Sequence, residues 1–291
     1  MLSKAELKQI LAALGRKPNK NLGQVFISSR GVVERIAEEA VFWQKNCAVF
    51  ELGGGLGNLT EALARNAEWV FSVEIDEKFA QNTQKRLAAL KNVTIVCADG
   101  IERGRIKPSL IQTFLNGMME RGIRTAVFCS NMPYCISGAV LMSLPILPPP
   151  FVRATIMTQR EVYERITASY GSKNYGLLSL ILQRYFKVVK VLDVSRENFY
   201  PKPEVDSTII GLKRNEVTAD VSEYERELKI IEKIFSMRRK TLRQVLLKKF
   251  NLEDSQLSDI MKAVSGENLR AEQLPPDVIW MLVGVLKKLC V

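Results

Sequence analysis

Three polar side chains stand at the ends of short apolar runs, and their types fit the recognition of an adenosine. The run CAVFEL (47–52) passes straight into GGGLGNLTEALA, which sets Glu51, Gly53, Gly55 and Gly57 at alternate positions of a strand-to-helix turn. Glycines there let the backbone bend tightly and approach a ligand with no Cβ in the way. A turn required only for packing is the competing reading of the glycines alone. Glu74 stands about twenty residues further on, near the end of WVFSVEI (69–75), with Ile75 beside it. An acid at this distance can accept from both ribose hydroxyls of an adenosine-containing cofactor. Nicotinamide dinucleotides and S-adenosylmethionine share the feature. Asp99 follows VTIVCA (93–98) and suits the exocyclic amine of the cofactor's adenine. Either acid alone is as readily a solvated loop residue; their joint placement points to a ligand.

The fourth apolar run, TAVFCS (125–130), leads into Asn131-Met132-Pro133-Tyr134. A tetrapeptide of the (N/D)-P-P-(Y/F) type answers a definite chemical need. The amine of adenine is a poor nucleophile because its lone pair is delocalised into the ring. A site that accepts its two N–H hydrogens favours the pyramidal, reactive geometry, and the Asn131 side-chain oxygen with the Met132 carbonyl can do this. Tyr134 offers a face for an extruded base, a contact worth about 1–3 kcal/mol. An ordinary turn is the bland alternative, and the three preceding motifs weigh against it.

These residues need a scaffold that brings strand ends together. Apolar β-rich runs alternate with amphipathic segments from Cys47 to Thr158, ending in VRATIMT (152–158), which is the signature of βαβ units and a parallel sheet. A helix is expected from Arg160 to about Ala168 and another from Leu177. RYFKVVKVLDV (184–194) and VDSTIIGLKR (205–214) then read as a closing pair of strands with SRENFYPKPE as the loop between them. The expected fold is α/β, a Rossmann-like seven-stranded sheet over residues 1–214. From Asn215 onward Ile231, Ile234, Phe235, Leu242, Val245 and Leu246 follow helical spacing, so residues 215–291 are expected to form a small all-helical domain. The Pro-rich PILPPP (145–150) reads as a stiff connector.

Bulk properties narrow the partners. Of 291 residues, 42 are Lys or Arg and 31 Asp or Glu, a formal charge of +11 that attracts a polyanion. No histidine is present, which excludes Ser-His-Asp and Cys-His catalysis, imidazole acid–base chemistry and histidine metal sites. The five cysteines include no C-x-x-C pair, so neither a zinc site nor a disulfide framework is expected. Residues 1–15 read as an amphipathic helix rather than a signal peptide, and no stretch is long enough to span a membrane. The expectation is a cytoplasmic monomer without metal or membrane partner. Arg238, Arg239, Lys240, Arg243, Lys248 and Lys249 crowd what reads as the first helix of the C-terminal domain, with no acid between Ser236 and Phe250. A solvated helix face competes with contact to RNA phosphates, and the density of cations favours RNA. Lys17, Lys20, Arg160 and Arg165 are weaker extensions of that surface.

With these motifs in order, the chain resembles the KsgA-type small-subunit rRNA adenine dimethyltransferases, a family similar to the erythromycin-resistance rRNA methylases and the mitochondrial transcription factor B proteins. The resemblance runs over nearly the whole length and includes NLGQVFI (21–27), MTQREVYERITA (157–168), YGLLSLILQRYF (175–186), ENFYPKPEVDS (197–207) and FSMRRKTLRQVLL (235–247). It implies S-adenosylmethionine as cofactor, covered by the 21–27 segment with Gln24, Val25 and Ile27 at contact positions. Val25 stands where the family usually has Asn, and it cannot supply that side-chain hydrogen bond. The resemblance further implies Phe199 opposite Tyr134, sandwiching the target adenine. It implies direct displacement, the amine attacking the sulfonium methyl, with two transfers to each of two adjacent adenines near the 3′ end of rRNA in a pre-30S-type particle. A large-subunit methylase, or a non-catalytic assembly or transcription factor on the same fold, are the alternatives. A dehydrogenase explains the glycines but not Asn131 to Tyr134.

Overall fold

All seven apolar runs become strands of one sheet in the computed structural model, which describes residues 1–19, 23–42, 46–217, 219–264 and 268–289. They are β1 (Ala48–Leu52), β2 (Trp69–Glu74), β3 (Val93–Cys97), β4 (Ala126–Asn131), β5 (Phe151–Gln159), β6 (Phe186–Val194) and β7 (Ser207–Arg214). Their spatial order is β3-β2-β1-β4-β5-β7-β6. β1 to β5 pair in parallel, and β7 runs antiparallel to both β5 and β6. The strand order reverses between β1 and β4, so a crevice opens at their carboxyl ends, where ligands of open α/β sheets bind. β1 and β2 are buried along their whole length, as expected of parallel strands covered on both faces.

Side chains alternate across the pleat, so neighbouring residues feed opposite layers. Val49, Val70 and Val127 meet Val33, Ile36 and Leu63 on one side. On the other, Phe50 stacks on Phe71 at 5.6 Å and on Phe128 at 6.0 Å, while Phe114 meets it edge-on at 5.5 Å. These layers come from α2 (Arg30–Val41), α3 (Asn58–Ala64), α4 (Glu77–Arg86) and α5 (Pro108–Glu120). Ahead of them lies α1 (Lys4–Ala13), whose start is set by a capping box between Ser3 and Glu6. α6 (Ser137–Ser143) follows the tetrapeptide.

Two short pairings were not legible in the sequence. Phe26–Ile27 runs antiparallel to Phe199–Tyr200, and Ile101–Glu102 to Arg105–Ile106.

The chain divides into two compact units. Met1–Tyr163 and Phe186–Asn215 carry the sheet, while Glu164–Tyr185 and Glu216–Val291 form a helical unit. The single boundary expected near Asn215 therefore leaves out an excursion, residues 164–185, that folds with the C-terminal helices. The cause is apolar surface on α8 (Leu177–Tyr185), where Leu180, Ile181, Leu182 and Tyr185 are all buried. Tyr185 meets Tyr224 of α9 (Val221–Phe235) edge-on at 5.9 Å, and Tyr175 meets Phe235 at 6.0 Å. α7 (Arg160–Ile166) straddles the boundary. The six expected RNA-contacting cations are also placed differently from the reading. They lie on the turn after α9 and on the second C-terminal helix, α10 (Leu242–Lys249), rather than on the first. α11 (Asp254–Val264) and α12 (Pro276–Leu289) complete the unit. Among the described residues no helix is long and apolar enough to cross a membrane.

Candidate active site

At the carboxyl ends of β1, β2, β3 and β4 the chain encloses a cleft of about 990 Å³ counted to its open mouth. Its lining brings together Gln24, Val25, Ile27, Gly53, Gly55, Glu74, Ile75, Asp99 and Asn131, which are the residues expected to hold a cofactor, and adds Pro133.

The glycine turn forms the floor. The amides of Gly53 and Gly54 both donate to the Val73 carbonyl, at 2.8 and 3.1 Å, which sews the turn to β2. A Cβ on Gly54 would stand 2.2 Å from Ser72 Oγ, so only glycine fits there. Beneath it Glu51 is fully buried. Its Oε2 accepts from the Thr60 hydroxyl at 2.6 Å, and Oε1 has no hydrogen-bond partner among the described residues. Burial pushes the Glu51 carboxyl up to about 7, with the neighbouring Ser72 and Thr60 hydroxyls opposing the shift.

Glu74 is 6% exposed, and both oxygens already hold a backbone amide: Gly55 N at 2.6 Å and Asp76 N at 2.8 Å. A carboxylate has further acceptor capacity at each oxygen, which is what a diol would use. Burial raises its carboxyl pKa, and the two amides pull the other way. Asp99 is exposed and accepts from Ile101 N at 2.9 Å through one oxygen.

The roof is the 23–27 segment and α1. Leu7, Phe26 and Phe79 line the cleft and belong to one apolar cluster with Leu2, Leu11 and Leu56. Phe26 meets Phe79 edge-on at 5.6 Å. Gly23 has a φ of 61°, and a Cβ there would stand 3.1 Å from Tyr134 N, so the segment crosses the tetrapeptide backbone to backbone. Asn21 and Leu22 of the same motif, and Lys20, lie outside the described residues.

One residue that sequence reasoning missed ties these parts together. Asn58 opens α3 but does not cap it; its side chain accepts from Leu2 N at 2.8 Å and donates to Leu2 O at 3.0 Å and Ile27 O at 2.9 Å. A buried Asn at the head of a helix, with no capping bond, was the only available signal, and it needs the fold to be seen.

In the tetrapeptide, Met132 N donates to Met157 O at 3.2 Å, holding the turn to β5. The Asn131 amide donates to the Val25 carbonyl at 3.0 Å, which leaves the side-chain oxygen for another donor. Tyr134 is half-buried, and its hydroxyl lies 3.1 Å from Ser207 Oγ at the start of β7. Burial raises the phenol pKa, so Tyr134 remains neutral at ordinary pH and is not a base.

Phe199 corrects an expectation. It is 1% exposed and packs in the cluster of Ile27, Val33, Val194 and Ile209, paired in register with Ile27. No ring face is open, because the Phe26–Ile27 pairing turns it into the core. Tyr134 thus has no Phe199 partner for a sandwich in this structure.

In the helical unit all six expected cations are exposed. Arg238 is the exception in role: its guanidinium donates to the carbonyls of Lys173 at 2.7 Å and Tyr175 at 3.0 Å, fastening the turn after α9 to the 173–175 loop. Lys17 and Arg160 are exposed in the sheet-bearing unit, and Arg165 in the helical unit.

Several known proteins are similar to this chain. Residues 15–280 match the family described as ribosomal RNA adenine dimethylase. A relative in Thermotoga petrophila, named ribosomal RNA small subunit methyltransferase A, is 35% identical over 271 residues, covering 92% of each chain. A protein of the same name in Natranaerobius thermophilus is 30% identical over 288 residues, covering 95% of this chain and 94% of its own. The crystal structure of a dimethyladenosine transferase from Plasmodium falciparum superposes with a TM-score of 0.70 at 25% identity, covering 90% of this chain and 98% of that one. The 23S rRNA methyltransferase ErmE gives 0.62 at 26% identity, covering 90% of this chain and 99% of its own. A family match spanning residues 15–280, with relatives 30% and 35% identical over nearly the whole length, makes the chain a member of the ribosomal RNA adenine dimethylase family.

Proposed function

We propose that this protein uses S-adenosylmethionine to dimethylate the exocyclic amines of two adjacent adenosines near the 3′ end of small-subunit rRNA, acting as a monomer on pre-30S-type particles in the cytoplasm. The observation that carries the reading is the orientation of Asn131. Its amide nitrogen is turned toward Val25 O, so the side-chain oxygen stands as an acceptor at the rim of a cleft that also holds Glu74 and Asp99.

The residues fit the cofactor. The turn at Gly54 has no room for a side chain, two acids are spaced along the wall, and Leu7, Phe26 and Phe79 give an apolar surface for a purine. Glu74 would hold the ribose hydroxyls and Asp99 the adenine amine, with Gln24, Val25, Ile27 and Ile75 closing around them. S-adenosylmethionine, when bound, supplies a methyl group carried on a cationic sulfur. The chain's own work is alignment and electrostatics. Asn131 Oδ1 and the Met132 carbonyl accept the two hydrogens of the target amine and stabilise the positive charge that grows on it. Pro133 shapes the turn, and Tyr134 supports the ring of the base. The excess proton passes to solvent, which suits a site without histidine.

Arg239, Lys240, Arg243, Lys248 and Lys249 are assigned to RNA phosphates, and Arg238 to holding their turn in place. Relatives named for the small subunit, covering nearly the full length, favour that particle over the large one. Labelled methyl transfer to undermodified small subunits, large subunits and naked rRNA tests the proposal. Incorporation into small subunits is expected, and incorporation into large subunits alone would overturn it.

A further inference from the structure

The tip of the 101–106 hairpin, Arg103 and Gly104, has no part in the site described above, and it is built against its own backbone preference. Register pairs of Ile101 with Ile106 and Glu102 with Arg105 leave Arg103 and Gly104 as a two-residue turn. Both have positive φ, 49° and 76°, the pattern of a type I′ turn. Such turns favour Asn, Asp or Gly at the first position, because a longer side chain is strained in the left-handed region. Arg103 is the one non-glycine residue with positive φ among those described. Its side chain is exposed and makes no ion pair or hydrogen bond with the described residues, so no internal contact accounts for an arginine at this position. A strained backbone at an exposed tip points to work done by the side chain.

The base of the hairpin is the wall of the cleft. Gly100 and Ile101 line it, and Lys107 N closes back on Gly100 O at 2.9 Å. Ile106 N donates to Ser143 Oγ at 3.0 Å, which fixes the hairpin to α6, the helix that follows Tyr134. Glu102 contributes one negative charge against Arg103, Arg105 and Lys107, so the hairpin is net positive. A rigid arm therefore leads from the mouth of the cleft to a free guanidinium. A base drawn out of its stack must have the flanking backbone held, and arginine holds phosphate with geometric definition.

We propose that Arg103 grips a backbone phosphate of the RNA strand next to the adenosine entering the cleft. The proposal rests on the reading of the protein as an rRNA adenine methyltransferase and adds a contact outside the helical unit. Arg103→Gly suits the turn, so thermal stability and cofactor affinity by calorimetry are expected to stay the same or rise. Affinity for a small-subunit rRNA transcript should fall roughly fivefold at moderate salt, and the slope of log K against log salt should lessen by about 0.7–0.9. Arg103→Lys, which keeps the charge, should restore most of the slope. Should Arg103→Gly disturb the hairpin, Arg103→Asn gives a second residue suited to left-handed backbone. A wild-type slope in the folded, cofactor-binding Gly and Asn variants overturns the contact. If the wild-type protein transfers no methyl group while the slope difference persists, the proposed reaction fails and the phosphate contact stands.

Discussion

The side-chain amide of Asn131 and the main-chain carbonyl of Val25 are joined by a 3.0 Å hydrogen bond across 106 residues of sequence. Because the partner is a carbonyl, the contact survives the loss of a polar side chain at position 25, and it selects the rotamer that shows an acceptor to the cleft. Asn131→Ala, assayed at saturating cofactor because it also releases the Val25 carbonyl of the roof, should transfer methyl about 10²–10³ times more slowly, the usual loss for one preorganised electrostatic contact. Unchanged transfer would remove Asn131 from the mechanism.

Tyr134 is held by Ser207, 3.1 Å away. Tyr134→Phe and Ser207→Ala should each lower kcat/KM for RNA by about three- to tenfold, the worth of one hydrogen bond, and the double variant should lose no more than either alone. Tyr134→Ala, which removes the ring, should cost about 1–3 kcal/mol of base binding in addition. Additive losses in a double-mutant cycle would show that Ser207 does not act through Tyr134.

Glu51 makes stability depend on pH. Its carboxyl is raised by burial from 4.5 to about 7, so the folded protein binds a proton that the unfolded chain has released between these values. Stability from this group is therefore greatest below about pH 4.5, falls as pH rises to about 7, and is level above, with a total near 3 kcal/mol. Relative to wild type, Glu51→Gln should gain on going from pH 5 to pH 8 in urea unfolding. Parallel pH profiles for the two proteins would dismiss Glu51 as the source.

The cations of the helical unit should separate into two groups. Arg238→Ala should lower the melting temperature, since it releases two carbonyls of the 173–175 loop. Replacing Arg239, Arg243 and Lys248 together should leave the melting temperature alone, weaken RNA binding and flatten its salt dependence by about one unit of slope per lost contact. A triple variant with the wild-type slope would refute the RNA surface.

The sheet is readable from the chain because β1, β2 and β4 are apolar runs bounded by turns, and the cofactor residues are readable because they sit at the ends of those runs. What escaped reading depends on contacts between distant segments. Asn58 meets Leu2 and Ile27 across 56 and 31 residues, and no local pattern announces either bond. Glu-Arg-Gly-Arg lacks the Asn-Gly or Asp-Gly signal of a tight hairpin, so the 101–106 arm is invisible beforehand. The resemblance implies a Phe199 open toward the target base, but its pairing with Ile27 turns it inward. The 164–185 excursion has ordinary amphipathic helices, and only packing reveals which unit receives them.

Asn58 gives the cofactor site an unusual dependence on the first residues of the chain. The helix that opens from the glycine floor, the strand of the roof and the residue ahead of the α1 cap share one carboxamide, so the protein cannot loosen its N-terminal arm without also slackening the walls around the ligand. Occupancy should accordingly be felt far from the ligand itself, as slower amide exchange at Leu2, whose N–H is held by that side chain.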